Sequence, residues 1–175
     1  MNLNDYIAVI NGYPKKGISF KDVTPLLRNK EAFKYTVEEL TKFALECGAN
    51  VIVGPEARGF LFGAPVAFNA NMGFVPVRKP HKLPREQVTY TYDLEYGQDT
   101  LCMHKDALKK GDKVVIIDDL VAVGGTIDAT AHMINELGAE VVGVGCVIAL
   151  KGLPGIENLP KKYKFKALLE LSDEE

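Results

Sequence analysis

Features that would indicate a membrane, secreted or nucleic-acid-binding protein are scarce in this sequence. It contains no run of about 18 apolar residues, and residues 1–5 lack the basic-then-apolar order of a signal peptide. The three cysteines lie far apart at positions 47, 102 and 146, without metal-ligand spacing, which predicts reduced thiols. A formal net charge of −2 gives no excess of basic residues for binding nucleic acid. We therefore expect a cytoplasmic protein with neither a membrane nor a nucleic acid as partner.

The composition is that of an ordinary folded protein. Of the 175 residues, 47% are hydrophobic and 25% are charged, which argues against disorder. A chain of this length is near the usual size of one domain and can bury a large core. Because no repeat, low-complexity stretch or linker divides it, we expect residues 1–175 to form a single domain.

Strand and helix patterns alternate along most of the chain. Strands are predicted at residues 51–53, 74–77, 114–117, 140–150 and 165–169, and helices at residues 33–47, 59–72 and 127–137. The spacing of Leu3, Ile7 and Ile10 predicts one further short helix. This alternation indicates an α/β fold with a central, mainly parallel sheet and helices on both faces. Ligands of such folds bind beyond the carboxyl ends of the strands.

Residues 78–100 interrupt the alternation with a polar, turn-rich stretch. Within and just after it, residues 88–92 and 100–103 have the composition to pair as a flexible β-ribbon. A loop of this length in a compact domain is usually functional. We expect residues 78–100 to form a flexible, mobile β-ribbon loop.

Residues 114–126 have the sequence features of a site for a phosphorylated sugar. Asp118 and Asp119 follow an apolar strand, and a loop with Gly124 and Gly125 leads into a helix. The free N–H groups at a helix N-terminus bind anions, and glycine allows the backbone to close around a phosphate. Two carboxylates would repel the phosphate itself but suit the hydroxyls of an attached sugar. The alternative is a turn with helix-capping Asp and Thr residues.

Segments of the chain resemble, in the same order, the motifs of type I phosphoribosyltransferases. Residues 114–126 resemble the motif that binds phosphoribosyl pyrophosphate (PRPP), and residues 14–22 resemble the base-binding segment. Residues 54–60, 77–80 and 94–97 resemble the pyrophosphate loop, the basic segment and the mobile-loop acid. From about residue 1 to residue 170, the chain is most similar to the adenine phosphoribosyltransferases of this family.

The resemblance implies a fold, a reaction, a cofactor and an assembly. The fold would have a small N-terminal hood at residues 1–30 beside the central sheet. Adenine and PRPP would react to give AMP and pyrophosphate, a step of purine salvage. Mg²⁺ would be the cofactor, held mainly by substrate and water rather than by protein ligands. The protein would be a homodimer.

The resemblance also assigns roles to individual residues. Glu95 and Tyr96 would be catalytic on the closing loop, and Arg58 would face pyrophosphate near a cis peptide bond between Glu56 and Ala57. Phe20 would stack on the base. The other substrate-binding residues would be Ser19, Lys21 and Leu150 at the base, Glu56, Ala57, Arg78, Lys79 and Lys82 near pyrophosphate, Asp118 and Asp119 at the ribose hydroxyls, and Ala122, Val123, Gly124, Gly125 and Thr126 around the 5-phosphate. The basic residues would act across the dimer interface.

Two positions depart from the family pattern, and alternatives remain open. Val123 stands where the family usually has Thr, and His81 where it usually has Gly. Without the resemblance, the basic residues would be read as a solvated surface. A nicotinamide oxidoreductase is disfavoured because no GxGxxG follows a strand, and a P-loop NTPase does not fit because the chain has no Gly-Lys pair. The open alternatives are transfer to another 6-substituted purine and a non-catalytic PRPP sensor, which would need a DNA-binding module.

Overall fold

The computed structural model of the protein describes residues 1–173. The strands are β1 (Ala8–Asn11), β2 (Ser19–Asp22), β3 (Val51–Pro55), β4 (Gly73–Val77), β5 (Gln87–Asp93), β6 (Gln98–His104), β7 (Lys113–Val121), β8 (Glu140–Lys151) and β9 (Phe165–Ser172). The helices are α1 (Thr24–Arg28), α2 (Lys30–Glu46), α3 (Arg58–Asn69), α4 (Gly125–Glu136) and α5 (Pro154–Lys162), with a 3₁₀ turn at Leu3–Tyr6. None of the helices in the described part is long and apolar enough to cross a membrane.

Five strands form the central sheet in the order β4-β3-β7-β8-β9, and all four neighbouring pairs are parallel. The apolar runs in β3, β7 and β8 are buried, as expected for parallel strands that are covered on both faces. The predicted α/β fold is therefore confirmed, and β9 lies at an edge as the sequence indicated.

Successive side chains of the central strands belong alternately to two apolar clusters, one on each face of the sheet. Ile52 of β3 packs with α1, α2 and α3, whereas its neighbour Val53 packs with α4 and α5. The same alternation divides the residues 114–117 of β7 between the two faces. The sheet thus lies between two helical layers, with the carboxyl ends of β3 and β7 side by side.

Strands β5 and β6 form a separate antiparallel ribbon. The register pairs Val88 with Met103 and Thr91 with Thr100, so the predicted pairing is confirmed. The base of the ribbon is fixed to the core, because Arg78 and Cys102 exchange two backbone hydrogen bonds of 2.9 and 2.8 Å. Its tip, residues 94–97, is exposed. Mobility of the whole segment 78–100 stays a prediction.

The predicted helix through Leu3, Ile7 and Ile10 is wrong beyond the first turn. The 3₁₀ turn ends at Tyr6, and residues 8–11 form β1, which pairs antiparallel with β2. Two neighbouring β-branched residues, Val9 and Ile10, favour extended backbone, and β2 supplies the hydrogen-bonding partner. Both side chains are partly in solvent, so the apolar spacing did not mark a buried helical stripe.

Candidate active site

The loop between β7 and α4 presents backbone N–H groups at the carboxyl edge of the sheet. Gly124 adopts a left-handed φ of +93°, which glycine tolerates without steric cost. The first helical hydrogen bond runs from the Asp128 N–H to the Gly124 carbonyl, at 2.9 Å. The N–H groups of Gly125, Thr126 and Ile127 therefore have no partner within the helix and are available to an anion.

Asp118 and Asp119 lie within β7, which continues to Val121 rather than ending before them. Both are buried, with 8% and 5% exposure. The Asp119 N–H donates to Asp118 Oδ1 at 2.8 Å, and Arg58 Nε lies 2.6 Å from Asp119 Oδ2 in an ion pair. Burial, followed by the neighbouring Asp119 charge, raises the pKa of Asp118 well above its ordinary value. The two carboxyl groups therefore lie close together in a buried site, in which Arg58 is the ion-pair partner of Asp119.

Glu56 connects the β3–α3 loop to the basic segment after β4. Its Oε1 accepts from the Lys79 N–H at 2.6 Å and from Arg78 Nε at 3.3 Å. The peptide bond between Glu56 and Ala57 is cis, as the resemblance implied. The Arg78 guanidinium also lies over the Phe60 ring, 5.9 Å from its centroid. The carboxylate of Glu56 thus positions the basic segment beside Arg58.

Further along the basic segment the side chains reach solvent. Lys82 and His81 are exposed, and the described residues offer Lys82 neither a hydrogen bond nor an ion pair. His81 has a φ of +68°, in the left-handed region. That conformation explains why glycine is usual at this position.

The β1–β2 hairpin places Phe20 beside Arg58. The Arg58 guanidinium lies 5.2 Å from the centroid of the Phe20 ring, and Tyr13 contacts that ring edge-on at 5.2 Å. Ser19 and Lys21 alternate with Phe20 and are buried, with Lys21 Nζ donating to Ser19 Oγ at 2.6 Å. The half-exposed Phe20 ring is therefore the surface of β2 that faces Arg58.

Two adjoining cavities, of about 560 and 340 Å³, share Asp118, Leu120 and Thr126. The larger one lies over the loop at residues 122–126 and reaches Glu95. The smaller one contains Glu56, Ala57, Arg58 and Asp119. The structure thus brings together most of the residues that the sequence indicated.

Other predicted site residues do not line either cavity. Tyr96 is 84% exposed at the ribbon tip. Leu150 is buried on β8 in the apolar cluster that faces α1, α2 and α3. Phe20, Ser19 and Lys21 belong to the hairpin rather than to the cavity walls.

Sequence analysis missed Tyr92, Asp99 and Gly155. Tyr92 and Asp99 line the larger cavity and face each other across the ribbon, which the pairing register would have revealed. The Gly155 N–H donates to the carbonyl of Ala122 at 3.0 Å and so supports the loop from behind. A Pro-Gly pair followed by Ile156 and Leu159 was the available signal for α5.

The protein supplies few ligands for a metal ion. Within residues 1–173, no three His, Cys, Asp or Glu side chains are grouped so that they could hold one. Mg²⁺ commonly keeps several waters and binds through one or two carboxylates together with substrate phosphates. The buried carboxylates of Asp118 and Asp119 fit that limited role, and they do not fit an all-protein metal cage.

Known proteins with the same architecture were identified by sequence and by structure. The phosphoribosyl transferase domain family matches residues 26–174. The adenine phosphoribosyltransferase of Alkaliphilus metalliredigens is 54% identical over 170 residues, which cover 97% of this chain and 99% of that protein. The adenine phosphoribosyltransferase structure from Thermoanaerobacter pseudethanolicus has a TM-score of 0.92 and 46% identity, covering 96% of this chain and 97% of that one.

A third relative was crystallised with ligands. The adenine phosphoribosyltransferase of Saccharomyces cerevisiae, in complex with adenine and an imino-altritol bisphosphate, has a TM-score of 0.89 and 34% identity. The alignment covers 95% of this chain and 96% of the yeast chain. With a matching sequence family, a matching fold and a phosphate loop beside paired carboxylates, this chain belongs to the phosphoribosyl transferase domain family.

Proposed function

We propose that the protein transfers the 5-phosphoribosyl group of PRPP to adenine, giving AMP and pyrophosphate. The observation that carries this proposal is the convergence of three different sites. An anion-binding loop at residues 122–126, two buried carboxylates and Arg58 line two adjoining cavities, and Phe20 lies against Arg58. Relatives about 50% identical carry the name of this activity, and the yeast relative binds adenine.

In the proposed mechanism, residues of β7 and α4 hold the sugar phosphate. The 5-phosphate accepts hydrogen bonds from the N–H groups of residues 122–126 and from the Thr126 hydroxyl. Asp118 and Asp119 accept hydrogen bonds from the ribose hydroxyls, which are charge-assisted and therefore strong. Burial and the neighbouring Asp119 charge raise the pKa of Asp118, and hydrogen bonds from the ribose hydroxyls to its ionised form would offset part of the solvation that burial removes.

The reaction breaks the bond between the anomeric carbon and pyrophosphate and forms a bond from that carbon to a base nitrogen, and the imidazole ring of the base loses its proton to the departing pyrophosphate or to water. Positive charge develops on the ribose, as in glycoside hydrolysis. Arg58, with Arg78, Lys79 and Lys82, stabilises the departing pyrophosphate. Asp118 and Asp119 would help to hold Mg²⁺, which would bind mainly through substrate phosphates and water and would supply further neutralisation of charge.

The base is held on the hood side of the site. Phe20 offers its half-exposed ring for stacking, and Ser19 and Lys21 contribute backbone groups. Leu150 lies in the core on this side of the sheet rather than on a cavity wall, so its part is to support the pocket. Glu95 binds or protonates the imidazole nitrogen of the base when the ribbon tip closes, and Tyr96 closes with it. Closure excludes water, which would otherwise hydrolyse the activated sugar.

The proposal includes a homodimer in the cytoplasm. An exposed apolar surface on α3, where Phe68 is 90% and Leu61 is 43% exposed, supports a subunit interface. Cys47, Cys102 and Cys146 are all free thiols, which fits a reducing compartment.

A comparison of bases tests the function. With Mg²⁺ and PRPP, we expect AMP to form from adenine far faster than IMP or GMP form from hypoxanthine or guanine. A faster reaction with hypoxanthine or guanine would show that the substrate is another 6-substituted purine and not adenine. A protein that binds PRPP but turns over no base would instead be a sensor.

A further inference from the structure

Two polar side chains of the β5–β6 ribbon contact Lys79 and Thr126, the residues that the proposed function assigns to the phosphates of the substrate. Asp99 Oδ2 is paired with the Lys79 ammonium. Tyr92 Oη lies 3.3 Å from the same Asp99 oxygen and 3.3 Å from Thr126 Oγ1. A single chain of contacts therefore runs from Lys79 through Asp99 and Tyr92 to Thr126, between the basic segment and the phosphate loop.

The ionisation states of these groups keep the chain intact near neutral pH. Burial opposes ionisation of Asp99, but the Lys79 ammonium and the Thr100 N–H lower the pKa of Asp99 below its ordinary value. Burial raises the pKa of Tyr92, so its phenol stays protonated. Asp99 is thus a carboxylate, and Tyr92 has one proton to donate either to Asp99 or to Thr126.

The acidic residues around the larger cavity make the pairing of Asp99 with Lys79 important for the binding of an anionic ligand. Asp93, Glu95, Asp99 and Asp118 line it, and among the described residues around it there is no Lys or Arg. An anionic ligand would therefore enter a space of negative charge while the nearby Lys79 is already neutralised. Asp99 both repels such a ligand and competes with it for Lys79.

The ribbon remains docked when this chain opens, because other contacts hold its base. Tyr90 packs on His132 of α4 with ring centroids 4.2 Å apart, and Arg78 pairs with Cys102. At the tip, the Tyr92 ring covers Gly125, where an added Cβ would lie 3.2 Å from Cε2 of Tyr92, and this contact would be lost when the chain of contacts opens. Release of Asp99 and Tyr92 would therefore free the tip of the ribbon, residues 91–99, and leave the base in place.

We propose that Asp99 and Tyr92 form a latch that substrate phosphates displace, with Asp99 competing for Lys79 and Tyr92 competing for the Thr126 hydroxyl. The inference rests on the proposed function, because it assigns Lys79 to pyrophosphate and Thr126 to the 5-phosphate. Asp99 and Tyr92 are positioning residues rather than catalytic ones. Because substrate must displace them, they lower the affinity for substrate. They also release the ribbon tip, which carries Glu95, only when both the pyrophosphate and the 5-phosphate are bound.

The sign of the change in affinity on removing the Asp99 charge tests the latch. Asp99→Asn keeps an oxygen for the Thr100 N–H, which donates to Asp99 Oδ1 at 2.9 Å. We expect it to lower the Kd for inorganic pyrophosphate with Mg²⁺ by roughly twofold to fivefold in isothermal titration calorimetry, the upper part of the range expected for a partly exposed ion pair. If Asp99 instead oriented Lys79 for the ligand, the same variant would bind more weakly.

Asp93→Asn is the matched control. Asp93 lies on the same ribbon and lines the same cavity, but it pairs with Gln98 rather than with Lys79. We expect this variant to change the Kd by less than about twofold, because it removes a charge without freeing the ammonium. In a Lys79→Met background, Asp99→Asn should lose most of its gain, since the freed group is then absent.

Tyr92→Phe tests the other half of the latch and keeps the ring on Gly125. We expect it to lower the Kd for ribose 5-phosphate by roughly twofold to fivefold, with pyrophosphate affinity changed less. Unchanged or weaker binding in both Asp99→Asn and Tyr92→Phe, or an equal gain in Asp93→Asn, would overturn the latch. Absence of AMP formation by a wild type that nevertheless shows the Asp99→Asn gain would overturn the proposed reaction and leave the latch standing.

Discussion

At position 123 the phosphate loop carries a side chain that cannot donate a hydrogen bond. Val123 is 65% exposed and lines the larger cavity, so a different β-branched residue fits there without repacking. The resemblance gives Thr as the usual residue. Under the proposed function, valine leaves the N–H groups of the loop and the Thr126 hydroxyl as the donors to the 5-phosphate.

Restoring a hydroxyl at this position should tighten the phosphate site. A hydrogen bond to a charged group contributes about 1.5–3 kcal/mol, but solvent and the existing N–H donors reduce its net effect. We expect Val123→Thr to lower the KM for PRPP about tenfold. Val123→Ile, which adds a carbon and no donor, is the control. Equal KM values in all three proteins would mean that the backbone alone holds the phosphate.

Asp118 carries a cost to stability that its function explains. Because its folded pKa is raised, folding disfavours the ionised form above the pKa of the unfolded chain. The penalty grows as the pH rises from the ordinary Asp range through the raised folded pKa, and it is absent below that range, where the acid is protonated in both states. Near neutral pH the carboxylate therefore lowers the free energy of unfolding.

Asp118→Asn should stabilise the fold and weaken substrate use. Asparagine keeps an oxygen for the Asp119 N–H and removes the repulsion between the two carboxylates. We expect Tm at pH 8 to rise by at least about 2 °C, which corresponds to roughly 1 kcal/mol for a chain of this size. Thermal unfolding at decreasing pH should show this gain shrinking, while the KM for PRPP rises. A lower Tm at pH 8 would contradict the argument.

At the scale of elements, α5 supports the phosphate loop from behind. Gly155 approaches the loop so closely that an added Cβ would lie 2.3 Å from the Ala122 carbonyl oxygen and 3.0 Å from Cγ1 of Val121. The Gly155 N–H also donates to that carbonyl. The loop therefore takes its shape from α5 as well as from β7 and α4.

Gly155→Ala should displace the loop and impair binding of the 5-phosphate. A shift of less than 1 Å in a positioning element is enough to change catalysis severalfold, and we expect the KM for PRPP to rise about tenfold. The KM for adenine should change little, because Phe20 lies on the separate β1–β2 hairpin. Gly73→Ala is the matched control, since an added Cβ there meets nothing within 4 Å. Similar kinetics in both variants would show that α5 does not shape the site.

The elements that the sequence predicted correctly are those whose pattern is local. The apolar run of β7 and the stripe of α4 mark one buried strand and one amphipathic helix, and both form where expected. The predicted N-terminal helix was wrong because Ile7 and Ile10 have helical spacing, while the decisive interaction is the pairing of β1 with β2 across a hairpin loop. Helix α5 was missed because its nine residues contain an internal proline, Pro160, and carry only a short apolar stripe.

The residues of the candidate site also divide into those that a local sequence pattern predicts and those that only strand pairing brings together. Asp118, Asp119 and the loop glycines lie in one continuous segment between a predicted strand and a predicted helix. Their location together at the carboxyl edge of the sheet could therefore be predicted from the sequence. Tyr92 and Asp99 each look unremarkable in sequence, and they meet only through the register of the ribbon. Contacts of this kind depend on tertiary pairing, which the composition of a polar segment does not encode.

At the scale of the whole molecule, the basic segment is unevenly engaged within its own chain. Arg78 contacts Glu56, and Lys79 pairs with Asp99. Lys82 is exposed and has no hydrogen bond or ion pair with any residue in the range 1–173. In a dimer that places the basic segment against a second copy, Lys82 is therefore the side chain most available to the neighbouring active site.

Hybrid dimers test whether Lys82 acts across the interface. One protomer would carry Asp119→Asn and the other Lys82→Ala, each with a different affinity tag so that only hybrids are isolated. If Lys82 serves the neighbouring site, one site of the hybrid contains both defects and the other contains neither. We therefore expect each parent homodimer to be impaired and the hybrid to recover about half of the wild-type AMP formation, as twofold symmetry requires.

The alternative arrangements give different results in the same experiment. If Lys82 serves its own chain, each site of the hybrid has one defect, and activity stays at the level of the parents. If tandem purification yields no hybrid, the protein does not form the dimer that the exposed α3 surface with Phe68 indicates. Phe68→Glu in both protomers separates these cases further, because placing charge on that apolar surface should dissociate the dimer and abolish recovery in the hybrid. Wild-type AMP formation by monomeric Phe68→Glu protein with no other substitution would exclude a contribution of Lys82 across the interface.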